Sequence, residues 1–329
     1  MTQSKKFSSL TALVTAAFFA VVSLAGCGPE SSAVATADRT FSVNGSVRLE
    51  LQNGSGNSRV TVGSPGEVRV HAEFRVHAWP WDNPDRILRE LVADPPVSQD
   101  ANLIRIGRSG WAMNMVSAEY SVTVPPETEM HGMSGSGNLD VNGIAGPVSL
   151  TVGSGNISAT GIANDTHAIV GSGDVTLTDT RGHLDVTAGS GDVRVRGENG
   201  EVRVRAGSGE IQIDQPAAGV VAQTGSGNIG LRDALGDVRL HTSSGNITVD
   251  GSPAPSSYWD IRASSGDVRL HVPSSASFRF YARSSSGDFD VTMSSAADQI
   301  HGRHEFQARI GDGKARVEIE TSSGNISLR

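Results

Sequence analysis

The sequence has a single cysteine among its 329 residues, which excludes an intramolecular disulfide and a fold held together by cross-links. Cys27 closes a Leu-Ala-Gly-Cys segment that follows Lys5, Lys6 and an apolar run over residues 10–22. That run is shorter than the ~20 residues that a membrane-spanning helix needs. The pattern therefore predicts a secretory signal followed by a bacterial lipobox rather than a transmembrane anchor.

We accordingly predict a signal peptide over residues 1–26, lipid attachment (palmitate or a similar acyl chain) at Cys27, and a flexible lipid-proximal linker over residues 27–39. The membrane is then a partner through the lipid, and the cell envelope is the predicted location. Gly28 stands where an aspartate commonly retains lipoproteins at the inner membrane of Gram-negative bacteria. In such an organism the predicted destination is the outer membrane.

The chain also lacks an excess of positive charge. Its formal net charge is -8 at pH 7, and it becomes -10 when Lys5 and Lys6 leave with the signal peptide. Binding to phosphate backbones depends on a dominant basic field. DNA and RNA are therefore excluded as main partners.

Strongly helical patterns are scarce, whereas glycine is abundant, with 39 residues. Seven of these glycines are spaced 18 residues apart, each between a serine and an Asn, Asp or Glu: Gly137, Gly155, Gly173, Gly191, Gly209, Gly227 and Gly245. Apolar and polar residues alternate before and after each glycine, as in half-buried strands. One such unit cannot bury its apolar face alone, so the units must stack. The sequence predicts an all-β fold, a single-stranded parallel β-solenoid with about 18 residues per coil and either two or three faces.

The repeats define a regular solenoid over residues 131–329, and residues 40–130 are predicted to form degenerate N-terminal coils that include Val68 and Val70. Asn83 followed by a proline and by apolar residues at helical spacing predicts one short helix near residues 84–93. A helix in this place would cover the unpaired strand edges at the end of the solenoid.

Near the C-terminus, the period is interrupted by an insertion over about Met293 to Ala315. An Asp312-Gly313 turn within it lies between two alternating segments, which predicts a hairpin-like excursion before the last strand.

Several motifs resemble those of a known bacterial group. They are the Leu49-Glu50-Leu51 segment, the Val122-Thr123-Val124-Pro125 segment, the repeated Gly-Ser-Gly-Asn/Asp-Val, and the closing segment over residues 321–326. Over residues 40–329 the chain resembles the putative-adhesin domains of unknown function, in a lipoprotein form. The resemblance implies a right-handed β-solenoid and an adhesin-like role, and it supplies no catalytic residue.

The polar residues after the turn glycines are expected to stack as a ladder: Asn138, Asn156, Asp174, Asp192, Glu210, Asn228, Asn246, Asp267 and Asp288. Short polar side chains suit turns, whereas calcium solenoids use acids at a different spacing, so we predict no metal. The His301–Glu305 segment lacks the spacing of a helical zinc motif. No serine has a matched base, and neither a catalytic residue nor a cofactor is predicted.

Outward arginines form the candidate ligand-binding stripe: Arg194, Arg196, Arg203, Arg205, Arg239, Arg262 and Arg283. One interpretation is a solubilising strand face. The other is a docking surface for anionic glycan or lipid head groups, supported by Tyr258, Trp259 and Tyr281.

The sequence as a whole favours a non-catalytic, lipid-anchored envelope module that binds an anionic glycan, the cell wall or an envelope protein. Two alternatives stay open. One is a glycan-active β-helix enzyme, for which Asp185 and Asp260 lie four coils apart and only acids from loops could meet. The other is a structural protein that assembles end to end.

Overall fold

The computed structural model of the protein describes residues 22–23, 33–76, 83–107, 116–293 and 296–329. The N-terminal part contains β1 (Val22–Ser23), β2 (Ala33–Ser42), β3 (Val47–Ser55), β4 (Ser58–Val62), β5 (Glu67–Val76), α1 (Pro84–Ala93), β6 (Val97–Asp100), β7 (Leu103–Ile106) and β8 (Val116–Val124).

The repeating part contains eight pairs of strands, and their bounds follow. They are β9 (Thr128–Ser136), β10 (Leu139–Asn142), β11 (Val148–Ser154), β12 (Ile157–Thr160), β13 (Thr166–Ser172), β14 (Val175–Thr178), β15 (Leu184–Ser190), β16 (Val193–Arg196), β17 (Val202–Ser208), β18 (Ile211–Asp214), β19 (Val220–Ser226), β20 (Ile229–Ala234), β21 (Val238–Ser244), β22 (Ile247–Gly251), β23 (Tyr258–Ser265) and β24 (Val268–His271). The C-terminal part contains β25 (Phe278–Ser286), β26 (Phe289–Val291), β27 (Ala296–His301), β28 (Glu305–Ile310), β29 (Ala315–Ser323) and β30 (Ile326–Leu328).

The repeats form a parallel β-solenoid with two faces per coil. The described strands make two 15-stranded sheets, and each regular coil gives its first strand to sheet B and its second to sheet A. Ile157 pairs with Val175, and Val175 pairs with Val193, so each coil follows its predecessor in a register of 18 residues. The predicted fold class is confirmed, and the number of faces, which the pattern left open, is two.

The core is a set of apolar columns between the two sheets. Leu139, Ile157 and Val175 of sheet A are at most 1% exposed, and the facing positions Leu150 and Val186 of sheet B are fully buried. Alternation within every strand sends the intervening polar residues outward. The apolar positions that alternate after the turn glycines were predicted to point inward, and this is confirmed. Phe289 and Val291, which also belong to this set, are only half-buried because β26 is the outermost strand of sheet A.

The N-terminal end agrees with the prediction of degenerate coils only in part. Strands β7 and β8 pair parallel with β3 and β4 and add an irregular coil, whereas β5 lies antiparallel to both β2 and β8. Val68 and Val70 are buried, but they belong to this antiparallel layer rather than to a parallel coil. Period-two alternation is the same in both strand directions, so the sequence pattern did not distinguish them. Reversed strands at this end cover the edge that a further parallel coil would otherwise extend.

The predicted helix is confirmed as α1, and it caps the same end. The Asn83 side chain accepts a hydrogen bond from the Arg86 backbone N–H at 3.2 Å, and Pro84 occupies the first turn. Leu88 is buried, and the helix packs against β2 and β5. The capping chemistry that predicted the helix thus also fixes where it begins.

The C-terminal coil is not the last one in space. Strands β29 and β30 lie between the β23–β24 coil and the β25–β26 coil, although they follow both in the chain. The Asp312-Gly313 turn therefore joins β28 to β29 across the intervening β25, and the two strands it connects are not hairpin partners. The excursion itself is present, because β27 and β28 pair antiparallel and cover the edge of β25.

The N-terminal predictions lie mostly outside the described residues. Cys27 and nearly all of the signal peptide over residues 1–26 are not among them. Strand β2 begins at Ala33, so residues 33–39 of the predicted linker lie in a sheet, where Ala35 and Ala37 are buried. Within the described ranges, no helix is long and apolar enough to span a bilayer.

One charged side chain interrupts an apolar column at the coil corners. Successive coils place Ile144, Ile162, Thr180, Glu198 and Pro216 at this buried position. The Glu198 carboxylate accepts hydrogen bonds from the hydroxyl and the backbone N–H of Thr180. Burial raises the pKa of Glu198, and the bonds from Thr180 only partly oppose that shift.

We expect the double variant Thr180→Ile, Glu198→Ile to be more stable than the natural chain at neutral pH, by roughly 1–3 kcal/mol. The reason is that apolar side chains replace the buried, hydrogen-bonded pair of the Thr180 hydroxyl and the Glu198 carboxylate. Because the pKa of Glu198 is higher in the folded state than in the unfolded state, protonation of Glu198 stabilises the folded natural chain at low pH. This stabilisation is lost as the pH rises through the folded-state pKa, where the buried carboxylate becomes charged. Urea unfolding at pH 5 and pH 7.5 should therefore show a larger gain for the variant at pH 7.5. An equal gain at both pH values would contradict the assignment, and Glu198→Gln is the matched control.

Candidate ligand-binding site

The predicted arginine stripe is split between the two outer faces of the solenoid. Arg194 and Arg196 lie on β16 of sheet A. The others lie on sheet B, on β17, β21, β23 and β25: Arg203, Arg205, Arg239, Arg262 and Arg283. Outward side chains of the two sheets point in opposite directions, so the seven arginines do not form one surface. The sequence showed that they point outward but did not show which face each one shares.

Most of these arginines are paired with acids in neighbouring positions. Six N–O contacts join them to carboxylates: Arg194–Asp192 at 2.9 Å, Arg196–Asp214 at 3.6 Å, Arg203–Glu201 at 3.2 Å, Arg205–Asp185 at 3.5 Å, Arg239–Asp260 at 3.9 Å and Arg262–Asp260 at 2.8 Å. The arginines are more than 40% exposed, so each pair adds little stability. Their main effect is to cancel the positive charge that the stripe would otherwise present. Ligand binding by these residues stays a prediction.

Aromatic and charged residues meet at the C-terminal end of sheet B. The Arg316 guanidinium on β29 lies 5.2 Å from the ring centre of Tyr281 and 5.9 Å from that of Tyr258. Glu318, two residues further along β29, accepts hydrogen bonds from the Tyr258 hydroxyl and from Arg316. These bonds, with that from Tyr258 first, lower the pKa of Glu318, and Glu318 in turn raises the pKa of Tyr258.

A shallow cleft of about 210 Å³ opens beside these residues, and we call it the tyrosine cleft. Its lining comes from β23, β25, β28 and β29: Asp260, Arg262, Tyr281, Ala282, Arg283, Glu305, Gln307, Glu318, Ile319 and Glu320. The inserted position of β29 places Glu318 between Asp260 and Tyr281, and it places Glu320 between Arg262 and Arg283. The order of strands in space therefore builds the cleft.

Sequence reasoning found part of this cluster. Tyr258, Tyr281, Arg262 and Arg283 were predicted to lie near one another, and the structure brings them to one end of sheet B. The prediction was wrong for Trp259, which is fully buried and donates its indole N–H to the Gly236 carbonyl at 2.8 Å. Alternation within β23 decides this, because Trp259 pairs with the inward Val238.

Three further residues of the site, Arg316, Glu318 and Glu320, were missed. Their alternation with Val317 and Ile319 marks them as outward. No sequence signal places their strand beside Tyr281, because chain order puts it last.

The side chains of the polar ladder form hydrogen bonds with the backbone of neighbouring coils. In each step a side-chain oxygen accepts a hydrogen bond of 2.8–3.0 Å from the backbone N–H of the equivalent residue in the next coil. The steps run from Asn57 through Asn138, Asn156, Asp174 and Asp192 to Glu210, and from Asn228 through Asn246, Asp267 and Asn325 to Asp288. No cluster of metal-ligating side chains occurs within the described ranges. At the C-terminal end the ladder follows the order of the coils in space rather than in the chain, because it runs from Asp267 to Asn325 and then to Asp288.

The remaining candidate groups do not converge. Asp185 on β15 and Asp260 on β23 are separated by three strands of sheet B, which places them about 19 Å apart at the usual strand spacing. The His304 ring nitrogen lies 3.2 Å from the Ser284 carbonyl oxygen, and the His301 ring packs edge-on against Phe306. These residues belong to the C-terminal hairpin.

The fold and its outer faces thus define a parallel, two-faced β-solenoid with a polar ladder along one corner and a mixed-charge cleft at its C-terminal end. The chain belongs to the Toastrack DUF4097 family, whose model matches residues 127–233 and 200–329.

Two solved structures are similar to 89% of this chain, each with 12% sequence identity. One is a putative cell adhesion protein from Clostridium sporogenes, covered over 98% of its length with a TM-score of 0.21. The other is a putative adhesin from Bacteroides fragilis, covered over 97% with a TM-score of 0.33. Scores this low carry no argument about function. A search of curated proteins gives no match.

Proposed function

We propose that the protein is a lipid-anchored module of the cell envelope that binds its partner without chemically changing it, in the manner of an adhesin. Cys27 is the proposed point of lipid attachment, and the outer membrane is the proposed destination in a Gram-negative host. The partner is a glycan, the cell wall or an envelope protein.

The observation that carries this proposal is the regularity of the stack. Connections between strands in the coils over residues 139–251 are short, and the outward side chains repeat on two nearly uninterrupted sheets. Solenoids that act as enzymes need walls around a reacting bond, and such walls usually come from long loops. A rigid surface without such walls supports binding rather than catalysis.

The electrostatics of the tyrosine cleft also favour binding. A glycosidase of the two-carboxylate kind needs one acid whose pKa is raised so that it holds a proton. The pKa of Glu318 is instead lowered by its hydrogen bonds with Tyr258 and Arg316. Asp260 is held by Arg262 at 2.8 Å. Glu318 is thus suited to accept hydrogen bonds from a ligand rather than to donate a proton.

Reversed strands at the ends of the solenoid disfavour end-to-end assembly. Strand β5 runs antiparallel at the N-terminal end, with α1 packed against it and β2. Strands β27 and β28 reverse direction at the C-terminal end of sheet B. Reversed strands oppose the addition of further parallel coils at these edges, whereas the short β26 remains the outermost strand of sheet A at the C-terminal end.

The anchoring is tested by expressing the full-length chain in a Gram-negative host with a clickable fatty-acid analogue. We expect labelled protein in the outer-membrane fraction, loss of label and of membrane association in Cys27→Ser, and a shift to the inner membrane in Gly28→Asp. Label on Cys27→Ser, or unlabelled secretion of the natural chain, would contradict the proposal.

A further inference from the structure

The tyrosine cleft contains polar groups that are not engaged elsewhere in the described chain. Arg283 pairs in register with Glu320 on one side and with Glu305 on the other, and Glu320 also faces Arg262 on β23. Within the described residues, none of the three side chains Arg283, Glu305 and Glu320 forms a close ion pair or a hydrogen bond. The Gln307 amide beside them also has no hydrogen-bond partner among the residues that the structure describes. All four other stripe arginines of sheet B form ion pairs with acids, so Arg283 and its neighbours differ from the surface around them.

The cleft and its immediate neighbours balance in charge. The lining contains four carboxylates, Asp260, Glu305, Glu318 and Glu320, and two arginines, Arg262 and Arg283. Two further arginines beside the lining, Arg239 and Arg316, pair with Asp260 and Glu318 and bring the sum of charges to zero. Within the described part of the chain, Arg283 is the only one of these four arginines without an ion pair, and carboxylates flank it on both neighbouring strands. A strongly anionic ligand would meet those carboxylates, and a strongly cationic one would meet the arginines. The charge balance therefore suits an uncharged ligand with many hydrogen-bonding groups.

The shape and the chemistry of the cleft match a sugar ring. A volume of about 210 Å³ is smaller than the ~300–1,000 Å³ of sites for drug-sized ligands, which indicates room for one small ring. The half-buried Tyr281 supplies an aromatic surface with a polar tip. Guanidinium and carboxylate groups offer two donors or two acceptors in one plane, a geometry that neighbouring hydroxyls on a ring can satisfy.

We propose that the tyrosine cleft binds one neutral pyranose unit of a glycan, with Tyr281 against the ring and with Arg283, Glu305 and Glu320 bonded to its hydroxyls. This inference rests on the proposed binding function and specifies its ligand class and its location. It differs from the anionic-glycan expectation because the acids around Arg283 disfavour a carboxylated or sulfated sugar.

The test uses the purified full-length protein and a panel of defined sugars. The neutral probes are cellobiose, maltose, lactose and di-N-acetylchitobiose, and the anionic probe is digalacturonate, each titrated by calorimetry. We expect saturable binding of at least one neutral probe, and a loss of about tenfold or more in affinity for both Tyr281→Ala and Arg283→Ala. Arg105→Ala, on β7 at the other end of sheet B, is the matched control because Arg105 is exposed and paired with Glu50, and it should bind as the natural chain does.

Circular dichroism and thermal unfolding establish that each variant is folded, and Arg283→Ala serves as the main variant if Tyr281→Ala is not. Absence of binding to every neutral probe, preference for digalacturonate, or unchanged affinity in both variants would overturn the cleft assignment. Retained binding of the variants to isolated cell envelopes would reject the cleft while leaving the proposed envelope function intact.

Discussion

Replacing Gly191 with alanine is expected to destabilise the solenoid by roughly 3 kcal/mol or more, because it combines a steric clash with an unfavourable backbone conformation. Gly191 has φ of 120°, and a Cβ atom there would lie 2.1 Å from the Gly173 carbonyl oxygen of the preceding coil. A local shift cannot relieve this clash, because the next coil stacks equally closely on Gly191: a Cβ atom added at Gly209 would lie 2.0 Å from the Gly191 carbonyl oxygen.

A matched control separates the two contributions. Gly161 also has positive φ, at 67°, but its added Cβ would approach no atom more closely than 3.8 Å. Gly161→Ala should therefore cost only about 1 kcal/mol, for the backbone conformation alone. Thermal and urea unfolding of both full-length variants measures the difference. Equal destabilisation by the two substitutions would show that close stacking at the turn is not what requires glycine.

Deleting residues 315–329 is expected to release the preceding coil as well as removing the last one. Strands β29 and β30 join the β23–β24 coil to the β25–β26 coil, so without them β25, β26 and their hairpin lose their attachment to the stack. Phe278 and Phe280, now fully buried, would be exposed to solvent. Burial of each such side chain is worth about 1.5–3 kcal/mol, so the segment should unfold and promote aggregation.

Limited proteolysis with mass spectrometry measures this effect. The deletion variant should be cleaved rapidly between residues 272 and 314, whereas the natural chain should resist cleavage there. Phe289→Ala is the control, because Phe289 is half-buried on the outermost strand and its loss should leave the segment protected. Continued protection of the segment in the deletion variant would mean that the coils stack in simple chain order.

The strands and turns of the repeated units could be predicted from the sequence because interactions between residues close in the chain specify them. Alternation placed Leu139, Ile157 and Val175 inward, and the proline after Asn83 marked the start of α1. Each of these signals lies within a few residues of the feature it predicts. The same local rule would have placed Trp259 in the core, had it been applied to β23 instead of grouping aromatic residues by type.

The order and direction of the strands at the two ends of the solenoid could not be predicted from such local patterns. Val68 and Val70 alternate with polar residues as they would in a parallel strand, but β5 is antiparallel to its neighbours. Similarly, β29 pairs with β23, although β25, which begins at Phe278, comes earlier in the chain. Such choices depend on which edge remains open once the other coils have stacked. The candidate site depends on them most, since Glu318 and Glu320 reach the tyrosine cleft only through the inserted coil.

The most direct test of the central claim is to incubate the full-length protein with isotopically labelled cell-envelope glycan and to analyse both bound and free material by mass spectrometry. Binding without chemistry predicts saturable retention of glycan whose mass and chain length are unchanged after prolonged incubation. Shortened or unsaturated products, formed in proportion to the protein added and absent with heat-denatured protein, would contradict it.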